Sequence, residues 1–139
     1  MALELTSLRK AMQSMQNALQ VASPDELEKF EKEQAEVLKA GVIQNFEFSY
    51  EICWKFMRRW LKENLSPAVT DGIARRELFR MAAEQRLIED VEQWMRYHDA
   101  RNLSSHTYLP EIADDVYRSA FAFHEAARKF LEALEERND

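Results

Sequence analysis

An all-α fold, an antiparallel up-and-down bundle of four to five helices, is what this chain predicts, and three observations carry it. Apolar residues recur at steps of three and four along most of its length, the period that stacks side chains on one face of a helix. Two glycines and three prolines in 139 residues leave little punctuation for a many-turned β fold. No stretch alternates strictly enough to read as a strand. The length suits one domain with a real core, so residues 1–139 are read as a single helical unit.

The elements follow in order. Leu5, Leu8, Met12, Met15 and Leu19 mark a first helix. Ser23-Pro24-Asp25-Glu26 then offers an N-cap, a proline at the first helical position and a glutamate at the capping-box position. The charged stretch from Glu26 to Lys39, with Leu27, Phe30, Val37 and Leu38 as its apolar minority, reads as a solvated face. Val42 to Leu61 is apolar along two stripes, one through Val42, Phe46, Cys53, Phe56 and Trp60, the other through Ile43, Tyr50, Trp54, Met57 and Leu61. A helix apolar on two sides is the inner element of a bundle or meets another subunit. Gly41 could loosen its junction with the charged segment, which leaves one helix or two over residues 25–64. Trp54 and Trp60 are read as packing anchors.

Ser66-Pro67 breaks that helix, and Thr70-Asp71-Gly72 offers caps for a short one bearing Leu78, Phe79 and Ala82. Arg75, Arg76, Arg80 and Arg86 make it the most basic local run, either a solvated face or a phosphate-attracting rim. Leu87, Val91, Trp94 and Met95 mark the next helix. Pro110 starts the last, which keeps its period through Ile112, Val116, Phe123, Phe130 and Leu134.

Composition bounds the function. A net charge of −6 argues against indiscriminate nucleic-acid binding, so RNA contact would need a basic patch that defies the global sign. The lone Cys53 excludes an internal disulfide framework and suits a reducing cytoplasm, where the protein is expected. No apolar run approaches the roughly 20 residues of a membrane span, and no signal-peptide core is present. No zinc or calcium spacing and no glycine-rich phosphate loop is found, so neither metal nor cofactor is expected.

Chemistry concentrates between Arg101 and Tyr108. A fixed cation, a group titrating near neutrality and a phenol fall together there, just before Pro110. In an unbroken helix Arg101 and His106 would stand about 140° apart. They converge only if the helix ends near Ser104 or Ser105, or if a second subunit completes the site. Such a pair suits RNA cleavage by 2′-hydroxyl attack, which needs proton transfer and charge stabilisation at phosphorus. The bland alternative is a polar cluster that pins the connection between two helices. His98 and His124 are weaker candidates with structural readings.

Arg101-x4-His106-x-Tyr108, with Asn102 after the arginine, resembles the signature of HEPN domains. Together with the run Gly41 to Glu51 followed by Trp54-Lys55, it is most similar to the nucleotidyltransferase substrate-binding branch, related to HepT-type toxins. The resemblance implies a helical bundle that forms a homodimer and pairs with a separately encoded minimal nucleotidyltransferase (MNT). It also implies a metal-independent ribonuclease site of Arg101 and His106, Asn102 as an adjoining polar residue, and Tyr108 as an acceptor of AMP from the partner. The alternative within the same branch is a non-enzymatic subunit that binds a nucleotide or other substrate for the nucleotidyltransferase.

Overall fold

The structure, a computed structural model, describes residues 2–138, the Val69 side chain excepted. It is all-α: α1 (Thr6–Val21), a single-turn α2 (Pro24–Leu27), α3 (Lys32–Asn64), α4 (Arg75–Glu84), α5 (Val91–Leu103) and α6 (Pro110–Glu136). Short 3₁₀ turns lie at Pro67–Thr70 and Ser104–His106. No strand occurs among the described residues, and no described helix is long and apolar enough to cross a membrane. Five helices of ten or more residues build the bundle, and α2 adds one turn to them.

The 33 residues of α3 are its axis, and α1, α4, α5 and α6 all pack on it. Both predicted stripes are used: Val42, Ile43, Phe46, Tyr50, Cys53, Phe56, Met57, Trp60 and Leu61 are buried. An inner helix must bury two sides, which is why the double stripe is there. Trp54 packs at the edge of the core. It stays half-exposed, with its indole N–H donated to Glu51 at 2.9 Å.

Phe123 of α6 lies where three helices meet. Its ring stands 5.2 Å from Phe46 and 6.3 Å from Tyr50 on α3, and 5.7 Å from Trp94 and 5.3 Å from Tyr97 on α5, each edge-on. Edge-to-face pairs at these separations add attraction beyond buried area, because a ring's positive rim meets a negative face.

The open question over residues 25–64 resolves as two helices, and the break is not at Gly41. Ser23 caps α2 by accepting the Glu26 amide at 3.3 Å, but the Glu26 carboxylate turns to Lys29 (3.0 Å). The chain restarts where Glu31 and Gln34 cap each other reciprocally, and α3 then runs through Gly41 unbroken. Two other boundaries differ from the sequence expectation. Thr70, Asp71 and Gly72 do not cap α4, whose N-cap is Ala74 without a side-chain bond. Instead Thr70 closes the 3₁₀ turn, and Gly72 takes a φ of 69° that favours glycine. Leu87 lies outside α5, buried in the connection, while Asp90 caps that helix by accepting the Gln93 amide at 3.2 Å.

Candidate functional site

Helix α5 ends well before Pro110. Leu103 is its last residue, a 3₁₀ turn carries Ser104 to His106, and Leu109 is extended (φ −90°, ψ 118°), the conformation that a following proline imposes. Arg101 and Asn102 therefore stand on the final turn of a helix, while His106 stands on the tighter turn after it.

Arg101 is gripped from α3. Its Nη1 donates to Glu47 Oε2 at 3.1 Å, and its Nε lies 3.4 Å from Glu51 Oε1, an ionic contact without hydrogen-bond alignment. Glu47 and Glu51 are one turn apart, so their carboxylates line one face of α3. The buried Ser104 hydroxyl sits 2.5 Å from Glu47 Oε2 and 2.6 Å from the Arg101 carbonyl oxygen, and also accepts from Arg101 Nη1 at 3.1 Å. Its single proton serves one of those two acceptors at a time. The Arg101 side chain keeps about a third of its surface exposed (32%), a partly desolvated ion held against two carboxylates.

Asn102 belongs to a second chain of contacts. Arg75 Nη1 donates to the Tyr50 hydroxyl oxygen at 2.8 Å, and that hydroxyl lies 2.8 Å from His98 Nδ1. Arg75 can only donate, so the phenol oxygen accepts from it, and the direction of the Tyr50–His98 bond follows the His98 tautomer. The other ring nitrogen, Nε2, faces the Asn102 carboxamide nitrogen at 3.4 Å. Burial pushes the Tyr50 phenol up to about 12, against the pull of Arg75. Burial first, then the Arg75 charge, lowers the His98 pKa, so the ring is neutral near neutrality.

His106 and Tyr108 sit differently. His106 is exposed, and its ring meets Tyr108 edge-on at 6.0 Å. Tyr108 is 76% exposed. With Thr107 it borders a cleft of about 560 Å³ between α3 and the start of α6, where Lys32, Lys39, Ile43 and Asp114 also contribute. Among the described residues no hydrogen bond joins Arg101 to His106. The structure brings Arg101 together with Glu47, Glu51 and Ser104, Asn102 with His98, and His106 with Tyr108.

A family model described as nucleotidyltransferase substrate binding protein like matches residues 3–136. The chain belongs to that family. Among relatives of this substrate-binding-like chain, the probable ribonuclease HepT of Haemophilus influenzae is 39% identical over 106 residues, covering 74% of this chain and 71% of its own. A solved Haemophilus influenzae structure, described as the fold of a substrate binding domain of a nucleotidyltransferase, superimposes with a TM-score of 0.87 at 31% identity, over 95% of this chain and 99% of its own. A Thermus thermophilus structure shares the fold, with a TM-score of 0.69 at 23% identity over 89% and 98% of the two chains.

Within this family member, the residues that sequence reasoning missed are those that hold the motif. Glu51 and Lys55 are spaced as a helix-stabilising pair, yet Glu51 goes to Arg101 and Trp54, while Lys55 lies over the Trp54 ring. The four-residue spacing of Glu47 and Glu51 was the one signal in the sequence for the grip. Ser104 and Tyr50 gave none. Cys53 is fully buried with its thiol pKa pushed up by desolvation, and His124 is half-buried with its pKa lowered by burial.

Proposed function

We propose that this chain is the HEPN-type subunit of a cytoplasmic two-component system, working with a separately encoded minimal nucleotidyltransferase. As a homodimer it forms a metal-independent ribonuclease cleft. Arg101 holds the scissile phosphate, Asn102 adjoins it and His106 exchanges protons. The 2′-oxygen attacks phosphorus and the 5′-oxygen leaves. The 2′-hydroxyl proton passes to a neutral imidazole, and a protonated one returns a proton to the leaving oxygen. The observation that carries the reading is the contrast within the motif: Arg101 is clamped at a helix end while His106 and Tyr108 stand free on the next turn.

The two proton transfers of the reaction call for a second protomer. Arg101 faces two carboxylates, so the cluster of one chain carries a net negative charge and is a poor phosphate site alone. A two-fold copy would add a second guanidinium and a second imidazole to one groove. Tyr108, the most exposed of the described large apolar side chains, is open to modification by the partner with AMP, and the added anionic phosphate would repel RNA.

Cleavage of RNA by the purified protein in a metal chelator tests this. Arg101→Ala and His106→Ala are expected to lose about 10²-fold or more. Equal cutting by wild type and His106→Ala removes His106 from the mechanism. With the partner and ATP, mass spectrometry should find AMP added at Tyr108 and none on Tyr108→Phe.

The cleft beside Tyr108 favours a second reading, a nucleotide- or substrate-binding subunit without its own chemistry. Calorimetry with nucleotides, in the presence of the nucleotidyltransferase, separates the two: binding without any chelator-resistant RNA cleavage selects the second.

A further inference from the structure

The basic run that the sequence places at Arg75, Arg76, Arg80 and Arg86 is taken apart by the fold. Arg76 pairs with Glu92 and Arg80 with Glu77, which leaves them little attraction for a ligand. Arg75 instead lies against α3, its guanidinium 3.8 Å from the centre of the Trp54 ring. Around Trp54, α3 presents Lys55, Arg58, Arg59 and Lys62, and no acidic residue occurs between Glu51 and Glu63. Among the described residues none of these five cations has an ion-pair partner. Of the neighbouring acids, Glu51 is occupied by Arg101 and Trp54 and Glu77 by Arg80, while Glu63, one turn past Arg59, pairs with none of the five.

The five cations border two adjoining hollows that share Trp54 and Arg58. One, of about 360 Å³, is lined by Trp54, Lys55, Arg58, Arg59 and Lys62. The other, of about 250 Å³, reaches Arg75 and the buried Thr70, whose hydroxyl has no hydrogen-bond partner. In a protein of net charge −6, such a concentration of unpaired positive charge is the local exception that polyanion binding requires.

We propose that this strip of α3 and α4 is a binding track for the sugar–phosphate backbone of single-stranded RNA, leading to the Arg101 site. The inference rests on the ribonuclease reading for its biological meaning, but the binding is a separate property. Lys55, Arg59 and Lys62 follow one face of α3 over about 10 Å, and Glu51, which holds Arg101, is one turn further back. Arginine and lysine on a helix face suit successive phosphates. The Trp54 ring, with Arg75 on it, spaces the two helices' cations apart. A nucleic-acid track is favoured over an acidic protein segment because the row is continuous with the motif that the same strand would have to reach.

The test measures binding of a short fluorescein-labelled polyuridine strand by anisotropy as salt is raised. Arg58→Gln/Arg59→Gln/Lys62→Gln is expected to weaken binding about tenfold or more at low salt, and to flatten the log–log salt slope by about 2, at roughly 0.7 for each phosphate no longer neutralised. Lys10→Gln/Arg96→Gln/Lys129→Gln makes the same charge change at exposed positions outside the strip and should leave both nearly unchanged. If the strip triple fails to fold, Lys55→Gln and Arg58→Gln separately should each flatten the slope by about 0.7.

Absence of binding by the wild type, or equal losses in the two triples, overturns the track. So does loss of the nucleotidyltransferase with RNA affinity unchanged, which would assign the strip to that protein. The two proposals fail separately. Strip-dependent binding without any cleavage sinks the ribonuclease reading alone. Cleavage whose KM is indifferent to the strip triple sinks the track alone.

Discussion

Arg101 has its charge engaged before any ligand arrives. Two carboxylates and a hydroxyl fix its rotamer, so a phosphate would meet a guanidinium already aimed but partly neutralised. His98 shows the complementary case of a ring kept neutral by burial and by Arg75, with Asp99 and Glu51 pulling weakly the other way. Its folded pKa lies below the ordinary 6.5, so on acidification the unfolded chain takes up a proton first and stability falls. His124 shifts in the same direction and adds to the effect. Urea unfolding at successive pH values should show stability declining as pH drops below about 6.5, and a shallower decline in His98→Gln. An unchanged decline in that variant would place the proton uptake elsewhere. At this scale the motif was legible because Arg101, Asn102, His106 and Tyr108 are close in sequence. Glu47 was not: its four-residue spacing from Glu51 marks a shared helix face, but nothing in the sequence ties that face to an arginine 54 positions away.

Among the elements, α3 shows what periodicity can and cannot reveal. Its double stripe announced an inner helix, and the described chain buries both stripes but for the half-exposed Trp54. Its start was harder to place, since Gly41 is the more conspicuous breaker. The helix begins instead at the Glu31–Gln34 cap, where two longer polar side chains do what serine and threonine do at most helix starts. Gly41 sits inside the helix with open space where a Cβ would stand, so Gly41→Ala should stabilise by about 0.5–1 kcal/mol. Arg86 presents the opposite case just past α4. At φ 62° it occupies a left-handed position, with its own amide and that of Leu87 closing onto Ala83 and Ala82. Arg86→Gly should therefore also stabilise, by about 1 kcal/mol. Thermal melts of the two variants and their double mutant check both values, and a fall in melting temperature for either refutes that assignment.

At the scale of the whole molecule, the bundle was legible and its charge distribution was not. Net charge and a list of arginines do not say which cations are neutralised, because pairs such as Arg76 with Glu92 form only when helices pack. Folding sorts a mixed surface into paired charges and one unpaired row, and the sorting depends on contacts between elements. The same helix carries the Glu47–Glu51 grip and the cationic row. From Glu51 to Lys62 it advances about 16 Å as a stiff rod. A mononucleotide is too short to touch both ends, whereas a strand of several nucleotides can. On the proposed reading, affinity should climb abruptly at one oligomer length, measured across a ladder of oligouridines, and stay level beyond it. Helix α3 would then act as a ruler, and the gauge it sets is the shortest RNA that the protein can grasp.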